Sequence, residues 1–417
     1  MKNKKKILFV HQNFPAQYKH LSKALVDKDY DVHTLSITKC NIKGMNNHHY
    51  ELTRGSSKNI HTWAAEFETK MIRAEAAEKK AQELKKNGFI PNVIIGHPGW
   101  GETFFLKEVW PDAKLISYVE FYYKTKDSDI DFDRDFSEKI LKRDFEKYFH
   151  FNSLKLTARN APFLATYSTS EYLIAPTHFQ KNLIPDSLRD NVEVIHDGID
   201  TNILKPNSEV TITYNGKKFT KSDSIITYVS RSLDPYRGFH ILMKSLPKIL
   251  KDNPNAYVFI VGDEKNHGYG APSPDGRSFK DMFFSDISDE IDTDRVIFFG
   301  RVPYEEFIKV IQISSVHIYL TFPFILSWSI LEAMSCESII IGSNTDPVTE
   351  VIKDNENGFL IDFFDVKALS DNVNKVLKNK DKYKRIGVNA RKTIVDNFDL
   401  HKKCLPAQLD LVTKALK

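Results

Sequence analysis

The sequence predicts an α/β protein made of two doubly wound parallel-sheet domains. Three observations carry this reading. Short apolar, β-branched runs alternate with helical segments along the whole chain, the pattern of parallel strands covered by helices on both faces. With 417 residues and 41% hydrophobic content, the chain exceeds one ordinary core and suits two domains of about 200 residues each. The alternation is interrupted once, by the polar stretch 205–223 with Asn207, Asn215 and Gly216, which reads as a boundary holding a small hairpin. The expected domains are therefore 1–205 and 206–395, with 396–417 a C-terminal helix packing back toward the first. In such sheets ligands sit at the carboxyl ends of the strands, and two halves facing a central cleft would hold them there.

The first half opens as a βαβ unit. Lys6 to Val10 is a strand, His11 to Gln17 a loop, a helix runs through Leu21 and Leu25, and Tyr30 to Leu35 is the next strand. Thr69 to Lys86 places Ile72, Ala77, Ala81 and Leu84 among Lys and Glu, so it reads as a long amphipathic helix with a solvated charged face, stopped by Asn87-Gly88. Strands follow at Asn92 to Gly96 and Lys114 to Val119, a helix at Phe145 to Asn160, and strands at Tyr172 to Ala175 and Asn191 to Ile195. The second series has strands at Ile225 to Val229, Ala256 to Val261, Arg295 to Phe299, Val316 to Leu320, Ser338 to Gly342 and Gly358 to Ile361.

Composition removes several classes of function. A net charge of +4 from 59 basic and 55 acidic side chains demands no nucleic-acid partner. Lys2, Lys4, Lys5 and Lys6 form a basic cluster, suited either to an anionic membrane surface or to a solvated tail ahead of the first strand. Cys40, Cys336 and Cys404 are odd in number and scattered, with no CxxC pair, which fits a reducing cytoplasm. Ile7 to Val10 is too short for a signal-peptide core, and no apolar stretch approaches the roughly 18 residues of a membrane span. The expectation is a cytoplasmic protein, soluble or touching the inner membrane surface peripherally.

Two strand ends of the second half carry ligand-binding chemistry. After the run His317 to Thr321 comes an irregular loop, Phe322 to Ser329, and then helix formers from Ile330, so Ser327 and Ser329 lie at a helix N-terminus with Glu332 one turn in. Free N–H groups and the helix dipole favour a phosphate there, and Glu332 can accept hydrogen bonds from ribose hydroxyls; an ordinary capped helix is the plainer reading. After Val229, the turn Ser230 to Gly238 places Arg231 and Arg237 on either side of Pro235. Two permanent cations suit a departing diphosphate, while a pair of surface ion-pairing arginines is the alternative.

These residues resemble the GT-B glycosyltransferases of family 4. The match lies in the Ser-Arg turn with a second basic residue before Gly (Arg231, Arg237-Gly238), the Val-Gly-Asp strand end (Val261-Gly262-Asp263) and the Phe-Gly-Arg-Val strand end (Phe299 to Val302). It continues in Asn357-Gly358 and in Glu332-Ala333-Met334, the second half of an acidic signature. The likeness is strong from Arg231 to Ile361, reaches back through His196-Asp197-Gly198-Ile199-Asp200, and is weaker before that. It implies two Rossmann-like domains and a nucleoside diphosphate sugar as substrate, with no cofactor and no bound metal. Arg231 and Arg237 would clamp the diphosphate, Gly262 would line the donor pocket, the backbone at Arg301 and Val302 would receive the base, Ser327, Trp328 and Ser329 would cradle phosphate, and Glu332 would bind the ribose. A glycan or lipid-linked acceptor would be glycosylated with retention of anomeric configuration, as in surface polysaccharide biosynthesis. A nucleotide-sugar epimerase of the same shape and a nucleotide-sugar-binding pseudoenzyme are the alternatives.

The chain departs from the family pattern in three places. Phe324 stands at the donor-site position of the first signature glutamate, although a subset of the family carries a similar Pro-Phe-x-Leu-Ser-Trp-Ser segment, here 323–329. The Arg231 to Arg237 spacing is one residue longer than usual, with Arg in place of the common Lys. In the first half, Glu120 replaces a histidine usually found near the donor sugar, where it is suited to bonding a sugar hydroxyl or orienting the acceptor; an ordinary strand-end carboxylate is the plainer reading. On the acceptor side, His97 and Trp100 in His97-Pro98-Gly99-Trp100-Gly101 and Gln17 in the first loop are expected to line the pocket; a tight turn with Trp100 packed inward is the other reading.

Asp127, Asp129, Asp131, Asp133 and Asp135 alternate strictly. Glu138 falls where a calcium loop has its last ligand, but Phe132 occupies the position that needs glycine. The pairs also resemble the metal motif of a single-nucleotide-domain glycosyltransferase fold, which two halves do not match. A solvated acidic loop is the expectation.

Overall fold

The computed structural model describes residues 4–39, 42–265 and 268–417, so Lys2 and Cys40 lie outside the described residues. The chain forms two compact units. The first comprises Met1–Lys126, Glu146–Gly198 and His401–Lys417, the second Asp127–Phe145 and Ile199–Leu400. The division thus falls after Gly198 and Leu400, where the sequence suggests 205 and 395, and the acidic segment is counted with the second unit although it lies within the first half of the sequence.

The first unit holds a seven-stranded parallel sheet in the order β3-β2-β1-β4-β5-β6-β7. The strands are β1 (Lys6–Val10), β2 (Asp31–Ser36), β3 (Asn46–His49), β4 (Val93–Gly96), β5 (Lys114–Tyr118), β6 (Tyr172–Ala175) and β7 (Val192–Val194). Ile7, Leu8, Phe9 and Val10 are all fully buried because helices cover both faces of the sheet. β3 escapes sequence reading, since Asn46-Asn47-His48-His49 carries no apolar alternation. It is an edge strand held by polar pairs, His33 Nδ1 to His48 Nε2 at 2.9 Å and Thr34 Oγ1 donating to Asn47 at 3.0 Å.

The helix Ala65–Lys86 buries the small apolar residues expected of it. Its charged side chains are not all solvated, however. Lys70 is buried, donates to the Arg159 carbonyl at 3.1 Å and lies 3.8 Å from the Phe163 ring centroid, and burial pushes its ammonium down to about 8. The helix expected to end at Asn160 continues through Pro162 to Thr169. At the C-terminus, Leu411, Val412 and Ala415 of the helix Leu405–Ala415 share a core with Leu21 and Leu25.

The second unit begins with a hairpin, β8 (Thr211–Tyr214) and β9 (Lys217–Thr220), turning at Asn215-Gly216 with both φ angles positive. Its six-stranded parallel sheet has the order β12-β11-β10-β13-β14-β15. The strands are β10 (Ser224–Ser232), β11 (Ala256–Asp263), β12 (Val296–Gly300), β13 (Val316–Tyr319), β14 (Ile339–Ser343) and β15 (Phe359–Ile361). In each sheet the chain reverses its direction of winding once, between β1 and β4 in the first unit and between β10 and β13 in the second. Loops diverge there and leave a crevice at the strands' carboxyl ends.

The acidic segment departs from expectation. Asp127 and Asp135 are exposed, but Asp129 and Asp133 are buried, so the run is only in part a solvated loop. Among the described residues no group of three His, Cys, Asp or Glu side chains is placed to hold a metal ion, and no described helix is long and apolar enough to cross a membrane.

Candidate functional site

In the second unit the loops after β10 and β13 are knitted together around Arg237. β10 ends in a bulge between Val229 and Ser232, after which Asp234 caps the single 3-10 turn Pro235–Arg237, its carboxylate accepting the Arg237 N–H at 3.3 Å. Gly238 follows with φ +70°, and a Cβ there would strike the Leu320 side chain, so only glycine lets the helix Phe239–Asp252 start so abruptly. Arg237 itself is buried. Its Nη1 donates to Tyr319 Oη at 3.1 Å and Thr321 Oγ1 at 2.8 Å, and the guanidinium lies 5.7 Å and 5.8 Å from the ring centroids of Tyr269 and Phe324. Tyr319 Oη also accepts the Ser327 N–H at 2.8 Å. One buried hydroxyl therefore ties the cation of one loop to the helix start of the other.

That helix spans Trp328–Ser335 with Ser327 as its cap, accepting the Ser329 N–H at 3.3 Å and lying 3.0 Å from the Ser329 hydroxyl. Ser329 is buried and Trp328 exposed. Glu332 is buried and accepts the Tyr304 hydroxyl at 2.8 Å; burial pushes its carboxyl up to about 7, against the pull of that hydrogen bond. Phe324 packs with Tyr236 at 5.5 Å and Tyr269 at 4.8 Å between ring centroids and is 5% exposed, so it walls the arginine rather than presenting a polar group.

The remaining residues of this half are more loosely associated. Arg231 is exposed, in contrast to Arg237. Arg301 is exposed and paired with Asp263 at 2.8 Å. Val302 packs against the cores beside it, and a Cβ at Gly262 would press on the Ser230 carbonyl and Leu233. Three contributors escaped sequence reading: Tyr319, Tyr304 and Asp234, whose carboxyl burial pushes up to about 7 against the opposing charge of Arg237. Tyr319 looked like one more residue of an apolar strand, and Tyr304 meets Glu332 only in three dimensions.

The crevice of the first unit is lined differently. His11 follows β1 and His97 follows β4; their rings lie 5.4 Å apart, and Trp100 lies 5.1 Å and 4.5 Å from the two. His97 Nδ1 accepts the Gly99 N–H at 3.0 Å, which leaves Nε2–H to donate to Glu120 Oε2 at 3.1 Å. Glu120 is thereby an oriented carboxylate, 40% exposed beside a buried imidazole. Burial, helped by neighbouring His97, holds the His11 imidazole down at about 3, so it is neutral. Gln17 lines a small cavity with Tyr18, Tyr118, Asp197 and Gln408; its Nε2 is buried without a hydrogen-bond partner. The structure thus brings His97, Trp100 and Glu120 together, with Gln17 on the neighbouring cavity.

Comparison with known proteins follows the same division. Residues 28–204 match the family described as glycosyl transferase family 4 group, and residues 191–393 match glycosyl transferases group 1. An uncharacterised glycosyltransferase of Methanocaldococcus jannaschii is 24% identical over 239 residues, 57% of each chain. The chain spans about half the length of the curated relatives it matches. Among solved structures, sucrose-phosphate synthase of Thermosynechococcus elongatus superposes with TM-score 0.75 at 14% identity over 99% of both chains. Anabaena HepE in complex with UDP and glucose gives 0.69 at 14% identity, over 99% of this chain and 100% of that one.

Proposed function

Because this chain belongs to the family 4, group 1 glycosyltransferases and has their GT-B fold, we propose that it transfers a sugar from a nucleoside diphosphate donor to a glycan or lipid-linked acceptor. The observation that carries this is the buried Arg237, tied through Tyr319 Oη to the Ser327-capped helix start at the switch point of the second sheet. A fixed cation and a helix N-terminus on adjoining loops favour a diphosphate in the ground state and more so as it leaves. The HepE structures with UDP and glucose and with UDP-glucose agree with such a donor.

In the proposed reaction the bond from the anomeric carbon to the diphosphate oxygen breaks while the acceptor hydroxyl oxygen bonds the same carbon on the same face. The anomeric configuration is retained, and the acceptor proton passes to the leaving phosphate. Arg237 and Arg231 carry the leaving charge without a metal ion, Glu332 accepts the ribose hydroxyls, and Glu120, oriented by His97, accepts a hydrogen bond from a sugar or acceptor hydroxyl. The proposed setting is surface polysaccharide assembly on the cytoplasmic side of a membrane.

A thermal-shift panel with UDP, GDP, ADP and CMP and their sugars tests the reading, since a ligand of the folded state raises the melting temperature. The expected result is selective stabilisation by one nucleotide and its sugar; no shift with any of them would overturn it. Conversion of a UDP-sugar without added acceptor would instead mark an epimerase.

A further inference from the structure

We propose that Asp129 and Asp133 are positioning residues for the diphosphate clamp, holding from outside the turn that carries Arg237; the inference rests on the donor-binding reading above. The two belong to the alternating acidic run, which by charge alone should face water. Instead the run divides by position. Asp131 accepts the N–H groups of Asp127 and Ser128 at 3.0 Å and 2.8 Å, and exposed Asp135 pairs with Lys139 at 2.6 Å, so these two serve the segment itself. Asp129 and Asp133 are buried, and, besides the Phe136 N–H that Asp133 Oδ1 accepts at 2.8 Å within the segment, they reach partners on either side of Arg237 in sequence. Asp129 Oδ2 accepts the Tyr236 hydroxyl at 2.9 Å, and Asp133 Oδ2 lies 3.1 Å from His240 Nε2 in the first turn of the following helix.

Burying two carboxylates is costly unless each is matched, and neither of these bonds is needed to fold the segment locally. The aromatic residues between them anchor the same grip. Phe132 packs among Phe322, Phe363 and Phe364 with centroids 4.9 to 5.2 Å away, and Phe136 lies against His240, Phe279 and Phe283. Tyr236 is gripped at both ends, its ring stacked on Phe322 at 4.7 Å and its carbonyl accepting the Phe322 N–H at 2.9 Å, with its hydroxyl on Asp129. The residue before Arg237 and the one two beyond Gly238 are thus both tied to one segment, which leaves the clamp turn little freedom. The chain leaves the first unit at Lys126 and re-enters it at Glu146, so this brace is supplied by the first half of the sequence.

A clamp so held binds a diphosphate without first being ordered, and loosening it should penalise the diphosphate more than the base and ribose. The test uses the full chain and the best-binding nucleoside diphosphate among UDP, GDP, ADP and CDP, with its monophosphate for comparison. Tyr236→Phe, which keeps the ring, and Asp129→Ala should each weaken the diphosphate about tenfold, as loss of a charge-assisted hydrogen bond implies. The double variant should be no weaker than the weaker single, the monophosphate should change less than about twofold, and exposed Asp135→Asn should change neither ligand. Equal losses on both ligands, or no loss in either variant, would overturn the proposal while leaving donor binding intact. If the unaltered chain bound none of the four diphosphates, the donor-binding reading would fall and this one with it.

Discussion

The loops after β10 and β13 in the second unit and those after β1 and β4 in the first occupy equivalent places in their sheets, yet their chemistry is opposite. The second unit buries a permanent cation among hydroxyls and rings and ties it to a capped helix. The first keeps the His11 imidazole neutral, packs it and His97 against Trp100 and leaves one carboxylate half-exposed. The difference teaches how a repeated architecture is specialised. On the function proposed above, a diphosphate, the same in every donor, rewards a fixed charge, whereas a sugar or acceptor offers neutral hydroxyls that are best met by oriented acceptors and a ring face.

The sharpest way to break this contrast is to remove its cation. Arg237→Ala should lower kcat/KM by about 100-fold or more, since a preorganised donor to developing charge is worth that much. It should also weaken nucleoside diphosphate binding by calorimetry. Arg231→Ala, at an exposed site, should cost clearly less; equal losses would mean that burial of Arg237 serves folding alone. On the other side, Glu120→Gln should lower the transfer rate by about 10- to 100-fold, the worth of a hydrogen bond from a hydroxyl to a charged acceptor, and leave nucleotide affinity unchanged. His97→Phe should follow it in direction, because His97 fixes the carboxylate. If either variant instead abolished nucleotide binding with its rate per bound donor intact, the division of labour would be wrong.

A smaller effect is expected at the link between the two loops. Tyr319→Phe keeps the packing but leaves both the Arg237 Nη1–H and the Ser327 N–H without this acceptor. A loss of about 1 to 3 kcal/mol in stability follows, with several-fold weaker diphosphate binding, read by denaturant titration and calorimetry. Unchanged affinity would show that the loops are independent.

This contrast also explains what was legible in the sequence. Gly238 and Ser327 were readable because backbone geometry and helix capping restrict the residue types allowed there, and the helix start so marked placed Glu332 one turn in. The two-sheet architecture was readable because fully buried parallel strands are continuous apolar runs. Tyr319, Tyr304 and the Asp129–Tyr236 pair were not readable, because their meaning is a partner many residues away and nothing local distinguishes them. β3 was missed for a related reason: an edge strand held by polar pairs has no hydrophobic period to detect.

The finest test concerns Glu332, whose burial gives it two opposite pH dependences. Its folded value of about 7 lies above the ordinary glutamate value of 4.5, so its contribution to stability is complete below 4.5 and is lost as pH rises through 7. The ionised carboxylate, however, is the better acceptor for two ribose hydroxyls, so nucleotide affinity should rise over the same interval. From pH 6 to 8, thermal unfolding of the ligand-free chain should therefore shift down relative to Glu332→Gln, while nucleotide binding tightens by a few-fold relative to that variant. Glu332→Gln should also weaken the nucleotide more than Phe324→Ala does, because Phe324 lies buried against Tyr236 and Tyr269. The reverse order, or parallel pH trends in wild type and variant, would remove Glu332 from the ribose site and leave it a buried partner of Tyr304.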